Sequence, residues 1–175
     1  MTAQRNLFQS DDDEKHSAVA KPLKSHTDKR HFILTTDGSC IGNPGPGGWA
    51  CVVRDGDHVR EIYGSEPHTT NNRMELLAVI EGLAALPAGA AVTLNIDSQY
   101  VKNGITSWIK KWKQNGWRTS TKKDVLNRDL WEKLDDAVRH HAIEWKWVKG
   151  HGSHTDNNRC DELAQRAARE QVSHQ

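Results

Sequence analysis

Long apolar runs are missing from this chain. No stretch approaches the roughly 18 to 20 consecutive apolar residues that a membrane span needs. The first residues also lack the apolar centre of a secretory signal, so the expected location is cytoplasmic, with no membrane partner. Cysteine is scarce. Cys40, Cys51 and Cys160 are odd in number and include no CxxC or zinc-like spacing, so neither a disulfide framework nor a structural zinc site is suggested and reduced, structural thiols are expected. Acids are absent altogether from 102–123, a stretch that holds Lys102, Lys110, Lys111, Lys113, Arg118, Lys122 and Lys123. The net charge of +1 hides this local positive field, which calls for a polyanionic partner.

What is present sharpens that expectation. Trp108, Trp112 and Trp117 interleave with the lysines, and basic residues mixed with aromatics suit phosphates together with sugar or base faces. A solvated basic helix face is the plainer alternative, but exposed indoles have little use on one. At 175 residues, with 35% hydrophobic and 27% charged side chains, the chain is the size of one domain with a single core. Nothing in it demands more than a monomer.

Residues 1–30 are polar, with the acidic run Asp11, Asp12, Asp13 and Glu14 followed by scattered lysines. They offer too few apolar side chains to offset ordering entropy and read as a flexible tail. A domain is expected over 31–170, and residues 171–175 read as a disordered end. Phe32, Ile33 and Leu34 begin a strand ending at Asp37 and Gly38, and GWACVVRD and HVREIYG form a hairpin about Asp55, Gly56 and Asp57. Met74, Leu77, Ile80, Leu83 and Ala84 recur at helical spacing, with Asn or Thr as the cap and Pro87 and Gly89 as the stop. AVTLNID is a strand with Val92, Leu94 and Ile96 on one face. The basic segment follows as short helices broken at Gly104 and Gly116. DVLNRDLWEKLDDAVRHH is an amphipathic helix with Val125 and Leu126 on its apolar stripe, IEWKWVKG a strand, and DNNRCDELAQRAARE a closing helix. The order implies α/β architecture: a five-stranded mixed sheet flanked by helices. The strands ending at Asp37 and Asp97 then lie side by side, where open α/β sheets bind ligands.

Four stretches, TDGSCIGNPGPGG, TTNNRMEL, NIDSQYV and WVKGHGSHTDNNRCDELA, together resemble type 1 ribonuclease H, close to the bacterial single-domain form. The likeness runs over 32–169 and includes the Trp-rich basic segment, a handle at about 102–123. It implies the ribonuclease H-like fold and an endonuclease that hydrolyses the RNA strand of RNA/DNA hybrids, leaving 5'-phosphate and 3'-hydroxyl ends. It implies that Asp37, Glu75, Asp97 and Asp161 are metal ligands and that His151 is a loop histidine assisting the reaction. By the same resemblance Cys40, Asn43, Asn71, Asn72 and Gln99 contact the minor groove and 2'-hydroxyls, Thr70 holds a DNA phosphate, and Trp108 packs on the DNA strand. Lys110, Lys111 and Lys113 then supply phosphate contacts. Trp112 and Trp117 are expected to pack within the handle.

Electrostatics agrees with a metal. Two unit charges about 5 Å apart at an effective dielectric of about 20 repel by roughly 3 kcal/mol, so four clustered carboxylates need cations. All-oxygen ligands suit two Mg2+ ions, with Mn2+ as a substitute. Each acid also has a plainer role: Asp37 in an Asx turn, Glu75 in a capping box with Asn72, Asp97 as a helix cap, Asp161 in a first helical turn. His151, between Gly150 and Gly152, has two roles open to it: relaying a proton or helping product leave. In the tail, Gln4, Arg5, Asn6, Leu7 and Phe8, QRNLF, resemble the short QxxLF peptides that dock on bacterial sliding clamps.

Overall fold

The computed structural model describes residues 30–149 and 154–174. His151 and the QRNLF stretch lie outside them. Five strands, β1 His31–Cys40, β2 Gly45–Asp55, β3 His58–Thr69, β4 Ala91–Ile96 and β5 Ala142–Trp147, form one mixed sheet in the order β3-β2-β1-β4-β5. The β1-β2-β3 meander is antiparallel, while β4 pairs parallel to both β1 and β5. The helices are α1 Asn71–Ala84, α2 Gln99–Asn103, α3 Ile109–Gln114, α4 Arg128–Arg139 and α5 Thr155–Val172. None among the described residues is long and apolar enough to cross a membrane.

Alternation along β2 assigns the two faces. Cys51 and Val53 point into the larger core with α1, β4 and α4, whereas Ala50 and Val52 meet Cys160, Leu163 and Ala164 of α5. Helices therefore cover the sheet on both sides. This explains why Thr93 and Asn95, the off-face residues of β4, are buried as well as Val92 and Leu94.

Register sets the site. The β1–β4 ladder ends where Thr35 stands opposite Asn95. Two residues further along each chain come Asp37 and Asp97, which puts them level on neighbours spaced about 4.8 Å apart. β1 does not stop at Asp37 as expected. It runs on to Cys40 because β2 keeps pairing with it, Asp37 opposite Ala50 and Cys40 opposite Gly47.

Other expectations need correction. β3 continues past Gly64 to Thr69, since Pro67 sits on an edge strand beside the register shift between Gly45 and Gly47, where a missing N–H is tolerated. Gly104 does not break a helix. A wide turn, Gly104–Trp108, joins α2 to α3 without interruption, and Gly104 is needed because a β-carbon there would lie 1.9 Å from the Trp131 ring. Gly116, with φ of +65°, does follow the end of α3. Leu126 is off the apolar stripe and 76% exposed, because α4 starts only at Arg128, after Asn127 in a left-handed conformation. At the other end, residues 171 and 172 continue α5, and Gln171 accepts a 2.9 Å hydrogen bond from Ser65.

Candidate active site

Four elements bring one acid each to a cavity of about 290 Å³: Asp37 from β1, Glu75 from α1, Asp97 after β4, and Asp161 from α5. Asn71 and Gln99 share its wall with Gly38 and Ser98. Close approach is built in at Gly48, where a β-carbon would lie 2.1 Å from the carbonyl oxygen of Ala164, so α5 rests directly on β2.

Local duties account for only one of the acids. Asp37 does make the expected turn contact, accepting the Gly38 N–H at 2.9 Å. Glu75 is not a capping-box acid, because Thr70 is the N-cap of α1 and its hydroxyl accepts from Arg73 at 3.3 Å. Asp97 is not the cap of α2, which is Ser98, accepting from Val101 at 3.1 Å. Asp161 lies beyond the first turn of α5, which starts at Thr155.

Hydrogen bonds orient Glu75 inward. Ser98 donates its hydroxyl to Glu75 Oε2, and Asn71 Nδ2 donates to Oε1 at 3.2 Å. Asp161 accepts from Gln165 at 3.0 Å. Burial, reinforced by the Asp97 carboxylate, pushes the Asp37 carboxyl up to about 8 against the pull of the Gly38 N–H. Burial also raises Glu75, opposed by the Ser98 hydrogen bond. A pair of carboxyls that ionise reluctantly beside further acids is a site that gains from a cation. The four acids share one cavity, yet among the described residues no three His, Cys, Asp or Glu side chains are grouped tightly enough to hold one ion as they stand. The donor set fits hard divalent cations, being all oxygen.

The glycine-rich turn is tied to the start of α1. Asn43 Oδ1 accepts the Asn71 N–H at 3.0 Å, and the half-buried Cys40 thiol reaches the carbonyl oxygens of Gly45 and Thr69 at 3.5 and 3.4 Å. Asn72 lies half-buried beside them on α1. Cys51 and Cys160 are buried thiols, the first pushed up to about 12 by burial, which accords with the structural role expected for them.

A larger cavity, about 750 Å³, lies along the handle between Trp108, Trp112, Lys111, Arg118 and the exposed Leu126. Its floor is anchored by Tyr100, whose hydroxyl accepts from Trp131 Nε1 and Asn127 Nδ2, both at 2.9 Å. Trp108 packs against Trp112 with ring centres 5.7 Å apart, and Trp112 against Trp117 at 6.2 Å, the handle packing expected for the last two. Lys110, Lys111 and Lys113 are all exposed, and of the three Lys113 is paired with Asp135 at 3.2 Å. Sequence reasoning did not single out Ser98 as a partner of Glu75, nor Asn157, which lines the acid cavity. The one signal in the sequence for Asn157 was its place a helical turn before Asp161.

Comparison with known proteins agrees with this geometry. The family model for RNase H matches residues 29–169. A ribonuclease H of Rhodopseudomonas palustris (strain TIE-1) is 57% identical over 140 residues, covering 80% of this chain and 90% of that protein. A ribonuclease H of Nitrobacter hamburgensis (strain DSM 10229 / NCIMB 13809 / X14) is 58% identical over 134 residues, covering 77% and 89%. Among solved structures, LC9-RNase H1, a type 1 RNase H with the type 2 active-site motif, superposes with a TM-score of 0.74 at 35% identity, covering 82% of this chain and 74% of that one. With its sheet order, its acid-lined cavity and this extent of identity, the chain belongs to the ribonuclease H family of nucleases.

Proposed function

We propose that the protein is an endonuclease that hydrolyses the RNA strand of RNA/DNA hybrids, leaving 5'-phosphate and 3'-hydroxyl ends. The observation that carries this is the convergence of Asp37, Glu75, Asp97 and Asp161, from four separate elements, on one cavity of a ribonuclease H fold. These four would hold two Mg2+ ions, with Mn2+ as a substitute. Such ions supply an activated water and stabilise the leaving oxygen in phosphodiester hydrolysis.

The chain's own groups do the rest. Ser98 and Asn71 keep the Glu75 carboxylate turned into the cavity. Asn71, Asn72, Gln99, Cys40 and Asn43 face the minor groove, where a 2'-hydroxyl separates RNA from DNA. Thr70 holds a DNA phosphate at the start of α1, and Trp108 offers a ring face to the DNA strand. Lys110, Lys111 and Lys113 add phosphate contacts. His151 assists the reaction, by relaying a proton or by helping product leave. The QRNLF stretch tethers the enzyme to a sliding clamp, and a fluorescent peptide of residues 1–15 that shows no saturable binding to purified clamp would remove that part.

The test of the main reading uses end-labelled RNA annealed to DNA, with RNA/RNA and DNA/DNA duplexes alongside, in Mg2+ and in EDTA. Cutting of the hybrid RNA alone, dependent on Mg2+ and abolished in Asp97→Asn, is expected. Tight hybrid binding without cutting would make the protein a binding module instead.

A further inference from the structure

One polar side chain lining the acid cavity has no assigned task. Asn157 is 3% exposed and lines the cavity with Asp37 and Asp161. Its Oδ1 is buried and has no hydrogen-bond partner among the described residues. Its backbone N–H is already capped by His154 Nδ1 at 3.1 Å, so the side chain is not needed to cap α5. Four residues separate Asn157 from Asp161, which puts the two side chains on one helix face, about 5–6 Å apart at their β-carbons. A buried carbonyl oxygen left unpaired weakens the fold, and such an atom in a native protein calls for an explanation.

Chemistry narrows that explanation. The oxygen can only accept, and the acids that line the same cavity, Asp37 and Asp161, are acceptors too when ionised. A cation or its bound water satisfies all three together. Hard divalent cations take carboxylate and Asn carbonyl oxygens alike. A fifth carboxylate here would add to the repulsion among the four, whereas an amide oxygen adds a donor without charge.

We infer that the Asn157 side-chain oxygen is a further oxygen donor of the divalent-cation site, beside Asp37 and Asp161, a role that rests on the cation-binding reading of the cavity.

The experiment is calorimetric titration of Mn2+ into the full chain, the Asn157→Leu and Asn157→Asp variants and an Asp97→Asn control, with thermal melts in EDTA. Asn157→Leu removes the polar atoms at nearly constant volume. It is expected to melt at or above the wild-type temperature in EDTA, yet to bind Mn2+ at least fivefold more weakly. Asn157→Asp is expected to melt lower in EDTA and to bind Mn2+ at least fivefold more tightly. Wild-type Mn2+ affinity in both variants would overturn the inference while leaving the acid site intact, and if Asn157→Leu does not fold, an unchanged affinity in Asn157→Asp overturns it alone. A wild-type protein that shows no Mn2+ binding removable by Asp97→Asn would instead overturn the cation-site reading, and the inference with it.

Discussion

A β-carbon placed on Gly38 would lie 2.4 Å from the amide nitrogen of Glu75, so β1 and α1 meet backbone to backbone where two of the four acids stand. The Met74 carbonyl carbon is equally close, at 2.5 Å. Neither neighbour is a flexible side-chain tip, so α1 itself must move to admit a methyl group.

Gly38→Ala is therefore expected to cost about 1–3 kcal/mol of stability through overpacking. It should also slow hybrid cleavage by shifting Glu75 away from Asp37. Urea melts and single-turnover cleavage measure the two effects. A destabilised variant with a wild-type cleavage rate would show that the spacing of Asp37 and Glu75 is not critical.

Asp37 predicts an unusual pH dependence in the absence of divalent ions. Its folded carboxyl is raised to about 8 from 3.8, so the unfolded chain gives up this proton first as the pH rises. The Asp37 contribution then erodes stability from about pH 4 to about pH 8 and levels off above. Asp37→Asn should raise Tm in EDTA at pH 8 and change it little at pH 4. Because a cation needs the ionised acid, wild-type Mn2+ affinity should also climb over the same range. Equal affinities at pH 6 and pH 8 would count against this account.

The handle lysines should differ among themselves. Lys110 and Lys111 are exposed, and replacing both by alanine should reduce the salt slope of hybrid binding by roughly 0.7 to 0.9 for every phosphate that is no longer neutralised. Lys113, already paired with Asp135, should matter less. Binding isotherms at several salt concentrations give the slopes directly. An unchanged slope in the double variant would remove the handle as the surface that meets the nucleic acid.

Arg54 clamps the start of α5 to β2. Its guanidinium makes two hydrogen bonds to Asp156, at 2.5 and 2.8 Å, and these hold the Asp156 carboxyl below its usual range. An acid depressed in the folded state stabilises above its unfolded pKa, and that contribution fades as the pH falls through the folded value. Arg54→Ala should lower Tm at pH 7, with the deficit shrinking below about pH 4, where unfolded aspartate begins to protonate. A deficit that stays constant from pH 7 to pH 2.5 would assign the effect to packing rather than charge.

Much of this was legible from residue order. Period-two alternation gave β5, and helical spacing gave the existence of α1 but not its buried side: Leu77 and Ile80 are half-buried, whereas Leu76, Ala78 and Val79 are fully buried, because β1, β2 and α4 all pack on this helix. The four acids were legible only through motifs that resemble a family, since each acid has an adequate local explanation alone. What stayed hidden depends on long-range packing. Gly104 looks like a helix breaker until Trp131 is seen against it, and Leu126 looks like a core residue until the left-handed Asn127 delays α4. Asn157 resembles any polar residue near a helix start. The burial of its Oδ1 without a partner among the described residues exists only once α5 lies across the sheet.

The acid cavity draws on β1, α1, the end of β4 and α5, which are scattered from residue 37 to residue 161. A one-residue slip of β4 against β1 would turn Asp97 to the opposite face, and an undocked α5 would withdraw Asp161. Under the proposed function, divalent-ion binding would work as a coincidence test of assembly. On that reading, a chain in which any one of these elements is undocked lacks a complete acid cavity and the chemistry proposed for it.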